Sequence, residues 1–473
     1  MRKTKIVCTL GPACRDEKVL EEMLLAGMNV ARMNFSHGDH AYHKEALDTF
    51  RSVRDRLGIP AAVMLDTKGP EIRLGDFEEG EAYLTAGDTF TLTTEPCLGD
   101  ARRAHISYAD LPSCLKKGST VLIDDGHVSL TVEEIEGSDI RLRVKDGGRV
   151  ASHKGVNVPH VHLDMKYLNE QDCADLRFAV ENDVDFIAAS FVRTAEDLRD
   201  MRKYLDYYGG HDIKIIAKIE NNEGIENFDE ILAHADGIMV ARGDMGVEVS
   251  YERLPGLQKK FINRCYSAGK MVITATQMLE SMITSTTPTR AEITDVANAV
   301  FDGTSAIMLS GETAIGQHPA LVVRTMARIA EQAERDAFEM NVFKGITYDI
   351  DSEDTTIAVC DAACTTARDV RASAIIAVTK SGYTARRVSK FRPSVSIIAA
   401  TYVEKTYHQL SLSWGVYPVR ALYQQDANIL FTHAVDCAKR FDLVSKGDRV
   451  VITAGAEGGT DTLRVQIVTG AGL

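Results

Sequence analysis

The sequence predicts an α/β protein: a closed (β/α)8 barrel of the TIM type, with a small β-barrel lid inserted into it and a further α/β unit after it. Three observations carry this prediction. Short runs rich in β-branched and other apolar residues alternate with longer amphipathic stretches, the alternation breaks once over roughly residues 70–154, and it resumes in shorter form beyond residue 345. Alternation of this kind marks βα units and a parallel sheet.

The candidate barrel strands are residues 5–8, 29–35, 61–66, 186–191, 214–220, 237–244, 271–276 and 306–310. Helical stretches separate them at 16–26, 40–57, 172–182, 195–208, 252–268 and 290–302, and one at 319–333 follows the last. Eight strand–helix units ending near residue 335 are the number that closes a (β/α)8 barrel, whose chemistry sits at the C-terminal strand ends. Within residues 70–154 the runs TFTLTT, STVLIDDG, VSLTVEEI and IRLRVKDG alternate strictly among Gly and Asp turns. An all-β unit inserted in a barrel loop is expected there, with its two ends close together as a hinged lid requires. Beyond residue 345, IIAVTKSG, VSIIAAT and RVVITAG alternate with helical stretches in a smaller, open α/β pattern. The expected division is a barrel from 1–69 and 155–340, a lid from 70–154 and a C-terminal unit from 345–473.

Composition narrows the function. Of 473 residues, 45% are hydrophobic and 26% charged, the mix of a globular protein rather than a fibre or a disordered tail. Lys and Arg number 54 against 68 Asp and Glu, so a net charge of -14 gives the surface no general attraction for nucleic-acid phosphates. The nine cysteines are odd in number and scattered, unlike a secreted disulfide scaffold. Cys360 and Cys364 share a helix face, but no second pair completes a zinc site, so they read as buried thiols. No run approaches the ~18 apolar residues of a membrane span. A cytoplasmic protein with neither nucleic-acid nor membrane partners is expected.

Strand geometry then gathers the polar residues. Residues i, i+2 and i+4 of a strand face one side. Arg32, Asn34 and Ser36 therefore share a face at the end of the second strand, and Asp66 and Thr67 end the third. Lys218 and Glu220 share a face at the end of the fifth; Arg242, Gly243 and Asp244 end the sixth; Thr276 ends the seventh. Polar groups at inward strand ends are expensive unless paired or bound. Taken singly, each reads equally well as an internal ion pair, but five strands ending in polar groups at one rim read as a site. Arg32 and Lys218 are cations suited to phosphoryl and enolate oxygens. Glu220 and Asp244 suit one hard divalent cation such as Mg2+. Asn34, Ser36, Asp66 and Thr67 offer oxygens without sulfur or imidazole, a set suited to an alkali cation. A phosphorylated substrate and a metal-assisted reaction follow. The sequence has no G-x-x-x-x-G-K-[ST] loop, G-x-G-x-x-G, H-E-x-x-H or G-x-S-x-G motif, and the glycines of AGAEGGTD read as an ordinary loop.

At these residues the chain resembles the pyruvate kinase family. The likeness runs in order through TKIVCTLGP, ARMNFSHG, LDTKGPEIR, HKGVNVP, IKIIAKIENNEGI, MVARGDMGVE, TATQMLESM, DVANAVFDGTSAIMLSGETA and VTKSGYTAR, essentially the whole chain. The resemblance implies transfer of the phosphoryl group of phosphoenolpyruvate to ADP, giving pyruvate and ATP, with Mg2+ (or Mn2+) and K+ as cofactors. It further implies that Arg32 contacts the moving phosphoryl group and Lys218 stabilises its charge. Glu220 and Asp244 would hold the Mg2+. Gly243 and Asp244, with the Thr276 hydroxyl, would seat the carboxylate, and Thr276 would lie where the enolate is protonated. Asn34, Ser36, Asp66 and Thr67 would bind K+, and Arg73 and Lys154, at the two lid hinges, would contact the nucleotide. Family members that need K+ carry a glutamate where this chain has Glu71, and K+-independent members a lysine. The resemblance also implies a homotetramer.

In the C-terminal unit, Thr379, Lys380, Ser381, Gly382 and Thr384 surround the start of a helix expected near Ala385, where backbone N–H groups favour a phosphate. An ordinary Ser or Thr N-cap is one explanation. In the resembled family the matching loop holds the phosphate of an allosteric effector. Tyr383 departs from the residue of fructose-1,6-bisphosphate-responsive members, which leaves a sugar or nucleotide monophosphate open. Asp124 and Asp125 read as an ordinary turn, with a lid contact to the nucleotide's metal as the alternative. His37, His40 and His43 are expected on a solvated helix start. Two alternatives stand beside the kinase: a Mg2+-dependent barrel lyase on a 2-oxo acid, and a catalytically silent paralogue that senses phosphorylated metabolites.

Overall fold

The computed structural model describes residues 1–345, 354–424, 427–455 and 459–470. The expected start of the third unit, just past residue 345, and residues 456–458 of the AGAEGGTD run lie outside the described residues.

The barrel strands are β1 (Lys5–Thr9), β2 (Val30–Asn34), β3 (Ala62–Asp66), β4 (Phe186–Ala189), β5 (Lys214–Ile219), β6 (Gly237–Ala241), β7 (Met271–Ala275) and β8 (Ala306–Leu309). They close in the order β1-β8-β7-β6-β5-β4-β3-β2, every pair parallel. Alternate residues divide between two cores. Val7, Val30, Met64, Ala188, Ile216, Met239, Ile273 and Met308 pack together inside the barrel. Their neighbours Ile6, Ala31, Val63, Ile187, Ala217, Ile238, Val272 and Ile307 pack against the surrounding helices. Counting by twos along the interior set reaches Thr9, Arg32, Asn34, Asp66, Ser190, Lys218 and Glu220, so the pleat delivers those side chains to the C-terminal mouth.

Most predicted helices form within two residues of their expected ends, and His40–Leu57 is identical. Pro319–Glu339 runs six residues further than expected. Several strands are shorter than expected, because the ladder stops where the rim loops leave it. The largest correction concerns Arg242, Gly243 and Asp244. They do not end β6 but form the first turn of a short helix, Arg242–Glu248.

The insertion builds a seven-stranded sheet in the order Ile72–Arg73, Gly155–Asn157, Thr120–Ile123, Val128–Glu136, Asp139–Asp146, Thr89–Thr93, Arg103–His105, beside a two-stranded ribbon. Its outermost strands meet: the Ser107 N–H donates to the Arg73 carbonyl at 2.9 Å and the Gly75 N–H to the His105 carbonyl at 2.8 Å. The sheet is thereby rolled around its own core of Phe90, Leu92, Val121, Leu130, Ile140 and Leu142. Arg73 pairs with Gly155, so the two ends enter side by side.

The C-terminal unit is a five-stranded sheet of β9 (Ala374–Val378), β10 (Ser396–Thr401), β11 (Val416–Arg420), β12 (Arg449–Ala454) and β13 (Thr462–Ile467), in the order β11-β10-β9-β12-β13. β11 and β13, the two edges, were not among the expected strands. The unit seals the bottom of the barrel: Leu412 joins the barrel's interior core, and Lys5 Nζ donates to the Val416 carbonyl at 2.6 Å. Trp414 is buried at this junction, 4.5 Å from the Arg392 guanidinium. Among the described residues no helix is long and apolar enough to cross a membrane. All nine cysteines are free.

Candidate active site

β2, β3 and β5 bring four charged side chains together under the rim. Arg32 Nε donates to Asp66 Oδ2 at 2.6 Å, and its Nη1 to Thr9 Oγ1 at 2.9 Å. Lys218 Nζ reaches Asp66 Oδ1 at 3.0 Å, Ser190 Oγ at 2.7 Å and Glu220 Oε1 at 2.9 Å. The Phe191 N–H holds the other Glu220 oxygen at 2.6 Å. Asp66 is 0% exposed and Glu220 1%, so the charges act in low dielectric.

Their titration follows from this packing. Burial would raise the Asp66 carboxyl, but Arg32 and Lys218 outweigh it and hold Asp66 below the usual carboxylate range. Burial likewise works against the Lys218 charge, yet Asp66 and Glu220 raise it above an ordinary lysine. Glu220 is pushed up to about 8, chiefly by burial, with the Asp244 charge adding to it against the pull of Lys218. Two cations thus face three carboxylates, Asp66, Glu220 and Asp244.

β6 and β7 supply the opposite wall. Thr276 and Gln277 both sit in the left-handed region, with φ of 71° and 53°. For a β-branched residue that conformation is strained by about 1–3 kcal/mol and persists only where neighbours impose it. Here it turns the Thr276 hydroxyl onto the first turn of helix Arg242–Glu248, where the Gly243 N–H donates to Oγ1 at 2.8 Å. Arg242 holds the strained segment, donating to the Ala275 carbonyl at 3.2 Å and to the Thr276 carbonyl while Nη1 pairs with Asp295 at 2.7 Å.

The oxygen set expected for an alkali cation is gathered at the ends of β2 and β3, where Asn34 and Asp66 pair in register. Asn34 Oδ1 accepts the Ser36 N–H at 3.2 Å, and the Thr67 carbonyl accepts from Ser190 Oγ at 2.6 Å. Glu71 instead pairs with Arg73 Nε at 2.8 Å. Arg73 also donates to the His153 carbonyl at 2.8 Å, and Lys154 pairs with Asp124 at 2.7 Å. Both predicted nucleotide residues therefore lie at the insertion's base. A cavity of about 440 Å³ opens between insertion and rim, lined by Glu71, Asp125, Asn157, Phe191, Asp244 and Glu248 among others. Asp125 is raised by burial and by the charges of Asp244 and Asp124. Among the described residues no three His, Cys, Asp or Glu side chains form a self-sufficient metal site. Glu220 and Asp244 would need ligand oxygens and water to complete a coordination shell.

The loop of the C-terminal unit differs from expectation in detail. Its helix is Tyr383–Lys390, with Gly382 at the N-cap in the left-handed region and no side-chain cap. A Ser or Thr cap is therefore not the role of this loop's hydroxyls. Thr384 Oγ1 instead meets Thr460 Oγ1 at 2.7 Å, and the Lys380 carbonyl accepts from Thr406 Oγ1 at 2.8 Å. Thr379 and Thr384 are buried, and Lys380 and Ser381 exposed. The histidines after β2 also depart from expectation: His43 is buried and stacks on Phe35 with ring centroids 4.0 Å apart, and His40 pairs with Asp175 at 2.7 Å.

Sequence reasoning missed Ser190, Thr9 and Arg242. Ser190 was within its reach, since it stands two residues beyond Ala188 on the interior face of β4. Arg242 was named only as a strand end; that it braces Thr276 required the fold.

Comparison with known proteins gives one answer throughout. Residues 1–323 match the model of the pyruvate kinase barrel domain, and residues 357–466 that of the pyruvate kinase alpha/beta domain. A pyruvate kinase of Clostridium acetobutylicum is 47% identical over 473 residues, 99% of this chain and 100% of the relative. One from Geobacillus stearothermophilus is 44% identical over 99% of this chain and 81% of its own. The crystal structure of a pyruvate kinase from Cryptosporidium parvum superposes with a TM-score of 0.92 at 39% identity, covering 98% of this chain and 96% of that one. Neither the lyase nor the silent sensor finds support in these matches. An eight-stranded barrel with a buried cation–carboxylate rim, matched end to end by these relatives, belongs to the pyruvate kinase family and is a phosphotransferase.

Proposed function

We propose that the rim residues transfer the phosphoryl group of phosphoenolpyruvate to ADP, giving pyruvate and ATP. The observation that carries this assignment is the buried Arg32–Asp66–Lys218–Glu220 cluster at the barrel mouth. Phosphoryl transfer passes through a loose transition state with charge spread over the equatorial oxygens, so positioned cations do most of the work. Asp66 holds the Arg32 guanidinium and the Lys218 ammonium in fixed orientations before any ligand arrives. Arg32 binds the phosphoryl oxygens. Lys218 meets the charge as the group passes from the enol oxygen to ADP. The Gly243 and Asp244 backbone and the Thr276 hydroxyl seat the carboxylate, and Thr276 Oγ1 lies on the side where the enolate gains its proton. Arg73 and Lys154 hold the nucleotide from the insertion, which excludes water on closing.

A divalent cation, Mg2+ or Mn2+, would fit Glu220 and Asp244, two hard oxygen donors whose like charges work against each other in a buried site, so that Glu220 is raised to about 8 and a bound cation would take the place of its proton. When bound it neutralises ligand oxygens and orients them. Asn34, Ser36, Asp66 and Thr67 hold K+. The loop Thr379, Lys380, Ser381, Gly382 and Thr384 takes the phosphate of an allosteric effector, supported by the uncapped start of Tyr383–Lys390. A homotetramer accords with β13, an edge strand on which Val465 is 42% exposed and Ile467 57%. A cytoplasmic location accords with nine free cysteines. The test is pyruvate formation from phosphoenolpyruvate that requires both ADP and Mg2+; folded protein that forms no pyruvate under these conditions would refute the assignment.

A further inference from the structure

The insertion meets the barrel at more than its two connectors. Asn157, the last residue of the returning strand Gly155–Asn157, donates from Nδ2 to Glu248 Oε1 at 3.1 Å. Glu248 ends the rim helix Arg242–Glu248. Its other oxygen, Oε2, accepts from Asn222 Nδ2 at 3.3 Å, and the same amide donates to the Glu248 carbonyl at 2.7 Å. Asn222 opens helix Asn222–Glu226, two residues after Glu220. One carboxylate thus ties the insertion to both rim helices that adjoin Glu220 and carry Asp244.

Further along the connector, Arg193 donates to the carbonyls of Leu163 at 2.8 Å and Met165 at 2.7 Å, which pins that part to the barrel. Residues 158–162 lie between the two anchors, and His160 among them has a φ of 62°. The turn at Gly126, beside the insertion's base, faces the same helix, since a Cβ on Gly126 would stand 3.8 Å from Val247 Cγ1. Asn157, His160 and Glu248 all line the cavity of about 440 Å³, so the connector has space on that side in which to swing.

We infer that the Asn157–Glu248 hydrogen bond is a latch that sets the angle at which the insertion closes over the rim, which makes both of them positioning residues for the acceptor nucleotide. The latch rests on the lid role proposed above. Loss of a hydrogen bond to a carboxylate shifts an equilibrium by about ten-fold or more. The phosphoenolpyruvate contacts come from the barrel and the nucleotide contacts from the insertion, so the loss falls on ADP. An unlatched insertion also admits water. The water oxygen forms a bond to phosphorus, the bond from phosphorus to the enol oxygen breaks, and the enolate takes up a proton, giving pyruvate and inorganic phosphate.

The experiment compares the full-length enzyme with Asn157→Ala, Glu248→Ala, the double variant and Glu248→Gln, with melting temperatures recorded for each. KM for ADP should rise about ten-fold in either single variant, with KM for phosphoenolpyruvate unchanged and more phosphate released per pyruvate formed. The double variant should lose no more than Glu248→Ala alone, because that variant already breaks the bond to Asn157 along with the one to Asn222. Glu248→Gln keeps an acceptor oxygen and should recover most of the loss. Additive losses, an equal rise in both KM values, or an unchanged phosphate release would overturn the latch. A wild-type enzyme that transfers no phosphoryl group to ADP would overturn the kinase assignment itself, whereas normal wild-type transfer with additive variants sinks the latch alone.

Discussion

Replacing Lys218 by Met is the sharpest test of the rim. Lys218 is 8% exposed and spends its three ammonium N–H groups on Asp66, Ser190 and Glu220, at 3.0, 2.7 and 2.9 Å. Met fills a similar volume but donates nothing. Removing one preorganised donor from a site of developing charge costs about 2.7–4 kcal/mol, or roughly 10²–10³ in turnover. A second effect acts on the fold. Breaking a buried ion pair from one side destabilises by about 3–5 kcal/mol, part of which Glu220 relieves by taking up a proton. Melting curves therefore accompany the kinetics, to show that the protein assayed is folded. Phosphoenolpyruvate should still bind by calorimetry, since Arg32 and the Gly243–Thr276 wall are untouched. The coupled assay of pyruvate formation reads the turnover. A folded Lys218→Met enzyme with near-normal kcat would remove Lys218 from the mechanism and, with it, the claim that the cluster is built for charge transfer.

Three further outcomes are expected. Replacing K+ by a bulky organic cation should abolish pyruvate formation; full activity would overturn the site at Asn34, Ser36, Asp66 and Thr67. Arg242→Met unbraces the strained Thr276 segment and leaves Asp295 unpaired, so kcat should fall about ten-fold with a loss of 1–3 kcal/mol in stability; an unchanged kcat would show that Thr276 needs no brace. Asp185, buried at 3% exposure beneath the Val63 N–H, is raised by burial to about 6 from an ordinary 3.8. Between those values the folded protein binds the extra proton, so Asp185 makes stability fall as pH rises, by at most about 1.4 kcal/mol per pH unit. The difference in unfolding free energy between wild type and Asp185→Asn should shrink by that slope from pH 4 to 6 and level off above; a flat difference would refute the shift.

Much of the molecule was legible in the chain because its signals are local. A strand buried on both faces writes itself as a short apolar run, and the insertion wrote itself as strict alternation. The charged strand ends stood out for the same reason: Arg32, Asp66, Lys218 and Glu220 interrupt apolar runs at positions of matching parity. What was lost depends on where strands stop and what crosses between them. Arg242, Gly243 and Asp244 follow β6 without a break in the sequence pattern, yet the ladder ends at Ala241 and a helix begins. The edge strands β11 and β13 escaped for different reasons: β11 carries Pro418, a residue that argues against a strand, and β13, although its residues alternate, is a short run half or fully exposed along its whole length.

The sequence by itself determined the fold class, the presence of an inserted β unit and the chemical types gathered at the rim, since hydrophobic period and residue parity are properties of a few consecutive residues. Only the tertiary structure decided partnership. It matched Lys218 to Ser190 across 28 residues, Arg242 to Thr276 across 34 and Asn157 to Glu248 across 91. Those pairings follow from strand stagger, from the left-handed turn at Thr276 and from how the insertion leans on the barrel, all fixed by packing between segments distant in the chain.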